Sequence, residues 1–211
     1  VSHELNQPLA AMKTYLAGAR LLLNRNRPDE ALSSFQRIDD LIERMGSITR
    51  QLKSYARQSG DTFAPVNLGE ALSSALSMME PQLRQRHVNI TRTLPEEPVL
   101  VMADRVRVEQ VMINLLRNAM DATEGTEDPS IDILLAAGET AVLTVRDNGH
   151  GIEDFDNLFE PFYTTKRDSS GLGLGLSIVH GIIQNHKGKV EVDSELGKGT
   201  TISIIFPLKR D

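Results

Sequence analysis

The first sixty residues carry apolar side chains at intervals of three and four positions, the spacing that gathers them on one face of a helix. Two helices are predicted, separated by the polar residues 24–29. Pro28 suits the first turn of the second helix, and Asp29 suits its positive end. The apolar stripe of the first helix consists of Leu9, Met12, Leu16, Ala19 and Leu23, and that of the second consists of Ala31, Phe35, Ile38, Ile42, Met45, Thr49, Leu52 and Ala56.

Neither stripe can be fully buried within a single two-helix hairpin, so the pattern predicts a dimer in which four helices form a bundle. His3 falls just outside the stripe and is expected on the surface of that bundle. A plain coiled-coil hairpin used only for dimerisation explains the same residues. Pro8 has no N–H group for the carbonyl of Glu4, which predicts a bend in the first helix.

Beyond residue 67, segments of helical periodicity are mixed with segments of two-residue alternation. Helices are predicted at residues 68–86, 105–122 and 174–185, and strands at residues 88–94, 99–103, 131–137, 140–146, 189–194 and 200–207. Because these elements do not alternate as βαβ units, the order favours a layered α/β sandwich over a doubly wound sheet. The expected domains are a helical hairpin at 1–58, a hinge or linker at 59–66 that contains Gly60, and the α/β domain at 67–211.

Composition narrows the classes of function. The 211 residues include 23 Lys and Arg against 29 Asp and Glu, so no basic surface recommends nucleic acid as a direct partner. The absence of cysteine excludes disulfides and thiolate metal sites. No apolar run approaches the about 18–20 residues that span a bilayer. We expect a globular fragment whose upstream part is absent.

A histidine and a glutamate are adjacent at the start of the first predicted helix. Neutral His3 can attack a phosphoryl group through one ring nitrogen while the Glu4 carboxylate accepts a hydrogen bond from the other and takes up the proton. An ordinary solvated helix face explains the same dipeptide. Its meaning depends on whether the rest of the chain supplies a phosphoryl donor.

Two polar clusters of the α/β region fit a bound nucleotide. Asn114 and Asn118 share one face of a predicted helix, where amide oxygens can ligate Mg²⁺ and amide nitrogens can reach phosphate oxygens. Asp147 follows a strand, and its carboxylate can accept the amino group of adenine, while Gly149 and Gly151 allow close backbone approach. The alternatives are two surface asparagines and an ordinary turn.

A third cluster, the Gly-Leu-Gly-Leu-Gly-Leu run at residues 171–176, opens an amphipathic helix. Glycine loops at a helix start present free N–H groups and the positive end of the helix dipole, both of which suit phosphates. A flexible linker is the alternative.

Two further segments complete the set of candidates. Phe159 and Phe162 can anchor a mobile segment in which Lys166 or Arg167 meets the β- or γ-phosphate. Thr200 ends a tight turn into a strand, and its hydroxyl can contact the base or a water molecule beside it.

The order of these motifs is more informative than any one of them. Asn-x-x-x-Asn, Asp-x-Gly-x-Gly, Phe-x-x-Phe, Gly-x-Gly-x-Gly-Leu and Gly-x-Gly-Thr closely resemble the N, G1, F, G2 and G3 boxes of sensor histidine kinases, and His3-Glu4 resembles their H box. The resemblance covers essentially all 211 residues. Residues 2–11 look most similar to the kinases that sense C4-dicarboxylates and to their nitrogen- and oxygen-sensing relatives.

The resemblance implies a dimeric helical-hairpin domain followed by an ATP-binding domain of the Bergerat type, an α/β sandwich with a mixed sheet and three main helices. The chain would be a protein histidine kinase that uses ATP and Mg²⁺. This resemblance implies that His3 is the phosphoryl acceptor and Glu4 its base, and that Asn118 holds Mg²⁺ with Asn114 nearby. The residues that it assigns to adenine are Asp147, Gly149, Gly151 and Thr200, and those that it assigns to the phosphate-covering lid are Phe159, Lys166, Gly171, Gly173, Gly175 and Leu176.

The resemblance also implies partners and a location. The partners would be a second copy of the chain and the receiver domain of a response regulator. The chain would be a cytoplasmic fragment of a protein in the bacterial inner membrane, attached only through upstream segments. Many relatives have Thr or Asn four residues after the histidine, whereas this chain has Gln7 there and Asn6 one place earlier, which puts phosphatase activity in doubt.

Two other functions stay open for the same residues. An ATPase of the same superfamily can use ATP-driven closure as a conformational clamp. A degenerate kinase can serve as a dimerisation scaffold.

Overall fold

A computed structural model describes residues 2–56, 63–160 and 173–208, apart from the side chains of residues 2–7, 43–44 and 47–56. The chain divides into two compact units, Val1–Gln58 and Ser59–Asp211. Within the described ranges, no helix is both long enough and apolar enough to cross a membrane.

The first unit is a hairpin of two helices, α1 (Ser2–Asn24) and α2 (Pro28–Ala56), as the apolar spacing predicts. Helix α1 continues through Pro8. In the turn, Asn26 has a left-handed backbone with φ 58°, a conformation that asparagine tolerates better than most residues. The N–H of Arg27 donates to the Leu22 carbonyl at 3.0 Å, which joins the start of α2 to the end of α1.

The apolar stripes of the hairpin are only partly covered. Ala19 and Ala31 are buried, whereas Leu16 is 49% exposed and Leu23 48% exposed. Among the side chains that the structure describes in this unit, the other large apolar ones that are exposed are Leu9, Leu21, Leu32, Phe35 and Ile42. One hairpin therefore presents more contiguous apolar surface than its own two helices can cover.

The described residues of the second unit form three helices and seven strands. In chain order they are β1 (Ala64–Asn67), α3 (Leu68–Gln85), β2 (Asn89–Thr93), β3 (Leu100–Ala103), α4 (Arg105–Ala122), β4 (Ser130–Ala137), β5 (Thr140–Asp147), α5 (Gly175–Asn185), β6 (Lys189–Glu195) and β7 (Gly199–Pro207). Five strands form one sheet in the order β2-β4-β5-β7-β6. Strand β2 is parallel to β4, and the other neighbours are antiparallel. The predicted α/β sandwich with a mixed sheet and three main helices is confirmed.

One face of this sheet forms the core of the second unit. Alternate residues point inward, and Ile131, Ile133, Leu143, Ile204 and Phe206 are each at most 1% exposed. Helix α4 packs against β4, β5 and β7, and it also contacts α3 and α5. The result is a layer of helices on a layer of strands.

The end of the predicted linker differs from the structure. Residues 59–66 were expected to connect the domains, but Ala64–Asn67 forms β1, which pairs antiparallel with β3. Val66 is buried in the core. A four-residue strand that contains a proline gives no periodic signal, and its partner is distant in sequence, so this pairing could not be predicted locally. The hinge residues Ser59, Gly60 and Asp61 lie outside the described residues.

One buried histidine joins three elements of the second unit. His186 immediately follows α5 and is 6% exposed. The N–H of Asp104 donates to its Nε2 at 3.1 Å, and its Nδ1 donates to the Ile182 carbonyl at 2.7 Å. Asp104 caps the start of α4 with its side chain, and Phe63, which precedes β1, packs on the imidazole at 4.8 Å between ring centroids.

Candidate functional site

A buried carboxylate stands at the end of β5. Asp147 is 6% exposed, and its Oδ1 accepts hydrogen bonds from the N–H of Gly149 at 2.9 Å and from the N–H of Thr200 at 3.2 Å. Burial raises the pKa of Asp147 above its usual value, against the opposing effect of these two bonds and of His150. Both bonds from the described residues end on Oδ1, which leaves Oδ2 to accept from a ligand.

The glycines around Asp147 have a structural role that their sequence pattern does not reveal. A Cβ on Gly149 would lie 2.3 Å from the carbonyl oxygen of Ala122, at the end of α4. A Cβ on Gly151 would lie 2.3 Å from the carbonyl oxygen of Glu195, at the end of β6. The close backbone approach that these glycines allow is therefore an approach of the protein to itself, and it fixes the loop that follows Asp147.

Gly199 is a site residue that was not among the predicted ones. A Cβ at this position would lie 2.0 Å from the backbone carbonyl oxygen of Asp147, and its φ is 118°. Since β7 starts at Gly199, this contact brings Thr200 against the Asp147 carboxylate. The Gly-x-Gly-Thr motif is the signal for it, although only the threonine is predicted from that motif.

Ser194 is a second residue that sequence reasoning missed. Its Oγ accepts from the N–H of Ile152 at 2.8 Å, donates to the Gly199 carbonyl at 2.9 Å, and lies 2.9 Å from Thr200 Oγ1. This hydroxyl therefore links the loop after β5 to the turn between β6 and β7. An isolated serine in a strand carries no sequence signal for such a role.

Helix α4 brings the two predicted asparagines to the same region. Asn114 is buried, and its Nδ2 has no hydrogen-bond partner among the described residues. Asn118 lies one turn later and is half-buried. A Cβ on Gly175 would lie 3.2 Å from Asn118 Oδ1, so the first turn of α5 lies directly against this amide. The unpaired Asn114 amide lies one helical turn from the Asn118 amide, which faces the start of α5, and such an arrangement suits a polar ligand.

At the start of α5, no side chain of the described residues caps the first N–H groups of the helix. Gly173 has φ 63°, and Leu174 is buried, so the chain turns sharply into the helix. Gly175 and Leu176 form the first turn. Gly171 and Lys166, which were predicted for the lid, lie outside the described residues, as do Phe162 and Arg167.

Phe159, the other predicted lid residue, is placed by α5. Its ring stacks on His180 with centroids 4.8 Å apart and an interplanar angle of 24°. The segment that enters the predicted lid is thus anchored on the helix whose first turn reaches Asn118.

The residues at the start of α1 are described only as helical backbone. His3, Glu4, Asn6 and Gln7 all lie within α1. Their side chains lie outside the described part of the chain, and the predictions for them stay predictions.

The residues of this site fit a Mg²⁺ ion that is shared with a bound phosphate ligand better than a metal ion that is held by protein side chains alone. Among the described residues, no group of three His, Asp, Glu or Cys can hold a metal ion. The Asn118 amide oxygen is a hard ligand of the kind that Mg²⁺ accepts, and Mg²⁺ commonly completes its coordination with substrate phosphates and water. The unpaired Asn114 amide can meet one of those phosphates.

Comparison with known proteins identifies both units. Residues 1–60 match the model of the His Kinase A (phospho-acceptor) domain. Residues 103–210 match the model of the histidine kinase-, DNA gyrase B- and HSP90-like ATPase.

Curated relatives match nearly the whole chain. The C4-dicarboxylate transport sensor protein DctB of Pseudomonas aeruginosa is 38% identical over 97% of this chain and 34% of its own length. The sensor protein FixL of Bradyrhizobium diazoefficiens is 33% identical over 98% of this chain and 42% of its own length. The chain thus spans well under half the length of these relatives.

Solved structures support the same relationship. The catalytic domain of histidine kinase ThkA is 31% identical, with a TM-score of 0.61 over 69% of this chain and 95% of that domain. A complex of ThkA with response regulator protein TrrA has a TM-score of 0.75 over 99% of this chain and 60% of the ThkA chain, at 24% identity. Both domain matches and the site geometry agree, and the chain belongs to the sensor histidine kinases, with a phospho-acceptor hairpin followed by an ATPase domain of the histidine kinase, gyrase B and HSP90 type.

Proposed function

We propose that this chain is the kinase core of a two-component sensor, which transfers the γ-phosphoryl group of ATP to His3 and from there to a response regulator. The observation that carries the proposal is the buried Asp147 carboxylate, whose Oδ1 is held by two backbone N–H groups while Oδ2 is left for a ligand. A buried acceptor of this kind suits the amino group of adenine, and the neighbouring amides and helix start suit its phosphates.

The ATP-binding residues act mainly by position. Asp147 and Thr200 hold the base, and the loop glycines Gly149 and Gly151 hold the carboxylate in place. Asn114, Asn118 and the N–H groups at the start of α5 orient the phosphates, and Lys166 covers them. Phosphoryl transfer passes through a loose transition state, so positioning and neutralisation of charge account for most of the rate. Asn118 would hold Mg²⁺, which would supply part of that neutralisation.

The acceptor residues act at the other end of the transfer. A ring nitrogen of His3 bonds to the γ-phosphorus, and the bond from that phosphorus to the oxygen bridging to the β-phosphate breaks. ADP leaves with the electron pair, and Glu4 takes up the imidazole proton. The phosphoryl group then passes from His3 to an aspartate carboxylate of a separate receiver domain. The complex of the relative ThkA with response regulator protein TrrA supports a partner of this class.

We infer that the active form is a homodimer. The exposed leucines of α1 and α2 support this, because a second hairpin can cover them in a four-helix bundle. Reversal of the signal, by hydrolysis of the regulator's phosphoaspartate, depends on Asn6 and Gln7. Gln7 occupies the position where many relatives place Thr or Asn, so we propose that this activity is weak.

The proposal also has consequences for the domain organisation and the cellular location of the kinase core. The hairpin at 1–58 and the ATP-binding domain, whose first strand is β1 (Ala64–Asn67), act as separate parts joined by the linker between them. Since ATP is the substrate, the core works in the cytoplasm, and we propose that its parent protein resides in the bacterial inner membrane. The relatives named as C4-dicarboxylate transport sensors support a parent of that kind.

Incubation with γ-labelled ATP and Mg²⁺ tests the proposal. The wild-type chain should acquire phosphate that is labile in acid and stable in alkali, as phosphohistidine is, whereas His3→Ala should acquire none. His87→Asn is the matched control, because His87 is an exposed histidine with φ 54°, a conformation that asparagine accepts. Equal labelling of His3→Ala would overturn the assignment. Release of free phosphate without any phosphoprotein would instead favour the conformational clamp.

A further inference from the structure

The hydrogen-bond direction at Ser194 can be worked out from its three partners. A serine hydroxyl has one hydrogen to donate and two lone pairs to accept with. The N–H of Ile152 can only donate, so it uses one lone pair of Ser194 Oγ. The Gly199 carbonyl can only accept, so it takes the single hydrogen. The remaining contact, 2.9 Å to Thr200 Oγ1, must then be donated by the threonine.

This direction removes the donor capacity of Thr200. Its only hydroxyl hydrogen points to Ser194, so Oγ1 offers lone pairs alone to a ligand. Thr200 is 4% exposed and is attached to Asp147 by its backbone N–H at 3.2 Å. The ionised carboxylate beside it is also an acceptor without a hydrogen. A ligand group at this place therefore meets two acceptors and must bring two hydrogens.

We propose that Ser194 is a positioning residue that determines base specificity: by accepting the Thr200 hydrogen, it makes the site select a purine with an exocyclic amino group over one with a carbonyl. The inference rests on the proposed ATP-binding function, because it names how the same site chooses its nucleotide. Adenine presents two hydrogens on its amino nitrogen. Guanine and hypoxanthine present a carbonyl oxygen there, which two acceptors repel.

Removal of Ser194 frees the Thr200 hydroxyl to rotate. Its hydrogen can then point toward the ligand and donate to a carbonyl oxygen. The change should act on specificity in a defined direction, since the bond to the adenine amino group weakens while the repulsion of guanine is relieved. If Ser194 only held the loop in place, its removal would not change the ratio of the two affinities, because a looser loop lowers the affinity for every nucleotide by a similar factor.

The test measures ADP and GDP affinities by calorimetry on the 211-residue chain with Mg²⁺. Wild type should bind ADP more tightly than GDP, and Ser194→Ala should reduce the ratio of the two affinities by about tenfold or more, the effect of one buried hydrogen-bond partner. Ser194→Thr retains the hydroxyl, so its ratio of ADP to GDP affinity should stay within about twofold of the wild-type ratio. That difference is much smaller than the change of about tenfold expected for the loss of one hydrogen bond.

A matched control lies on the neighbouring strand. Ser203 Oγ also pairs with a threonine hydroxyl, Thr144 Oγ1, at 3.0 Å, but it takes no part in the contacts around Asp147. Ser203→Ala should leave the ratio unchanged. Because Ser194→Ala leaves the Ile152 N–H without its partner and can lower stability, Thr200→Val provides a second variant with that bond intact. It should lower ADP affinity without lowering GDP affinity.

The outcomes separate this inference from the function on which it rests. A proportional loss of ADP and GDP affinity in both Ser194→Ala and Thr200→Val would overturn the role of Ser194 while leaving the proposed kinase intact. Wild-type protein that binds neither nucleotide would overturn both. A fall in the ratio that Ser194→Thr reverses would establish the inference.

Discussion

At the scale of single residues, the site contains two buried polar groups whose burial is unfavourable for folding. Asp147 is kept as a buried carboxylate although burial raises its pKa, and Asn114 keeps an amide nitrogen without a partner among the described residues. Both features cost folding free energy, since buried polar groups are favourable only when they are paired. Such costs are typical of residues retained for a ligand.

Replacement of Asp147 should separate stability from binding. Its folded pKa lies above the unfolded value, so its ionisation destabilises the folded state as pH rises through this range. Asp147→Asn should therefore leave the free energy of unfolding at pH 7 equal or higher, with the difference disappearing below the unfolded pKa. ADP affinity should fall about 10- to 100-fold, because a hydrogen bond to a charged group is lost. Chemical denaturation and calorimetry measure the two quantities, and lower stability at pH 7 would contradict the expectation.

Gly149 should be intolerant of even one added methyl group. In Gly149→Ala the new Cβ would lie 2.3 Å from the Ala122 carbonyl oxygen, so backbone must shift. We expect a loss of about 1–3 kcal/mol of unfolding free energy, the usual cost of overpacking. Gly138→Ala is the control, because among the described residues other than 137–139 no atom lies within 4 Å of the methyl group that this change adds. Equal midpoints for the two variants in urea would show that the loop after β5 adapts freely.

At the scale of elements, α4 and α5 are connected at both ends. Gly175 lies against Asn118 near one end, and His186 accepts the Asp104 N–H at the other.

The helices themselves were predictable, because their apolar periodicity is long and regular. Strand β1 and the His186 contacts were not, since each depends on residues far apart in sequence, and Ser194 was missed for the same reason. The motif residues Asp147 and Asn118 could be selected because their spacing is local.

Substitution of His186 tests this connection. His186→Leu fills a similar volume but leaves the Asp104 N–H and the Ile182 carbonyl without their side-chain partner. The free energy of unfolding should fall by about 1–3 kcal/mol, because the Asp104 N–H is left unpaired, whereas the Ile182 carbonyl still accepts the backbone N–H of residue 186 at 3.1 Å. His186→Gln can still accept from Asp104 and should recover part of the loss. Thermal denaturation of both variants measures the effect, and identical losses would argue that packing alone matters.

At the scale of the whole molecule, the exposed stripe of the hairpin predicts association. Leu16 is 49% exposed in the single chain, and a Leu16→Glu change places a charge where the second hairpin should pack. Sedimentation equilibrium should show a wild-type dimer, and the dissociation constant should be at least about tenfold higher in the variant. The reason is that burying one leucine side chain contributes about 1.5–3 kcal/mol to association. Leu196→Glu, in the exposed turn between β6 and β7, should leave the dimer unchanged. A monomeric wild type would contradict the bundle.

The two opposed hydrogen bonds at His186 also have a spectroscopic consequence. A backbone N–H donates to Nε2 and a carbonyl accepts from Nδ1, so the ring is held as a single neutral tautomer that carries its hydrogen on Nδ1. That hydrogen is buried and should exchange slowly with water, which makes it observable as an isolated imidazole resonance in proton NMR. Its chemical shift would report from inside the domain whether the α4 and α5 ends stay in place as nucleotide binds and leaves.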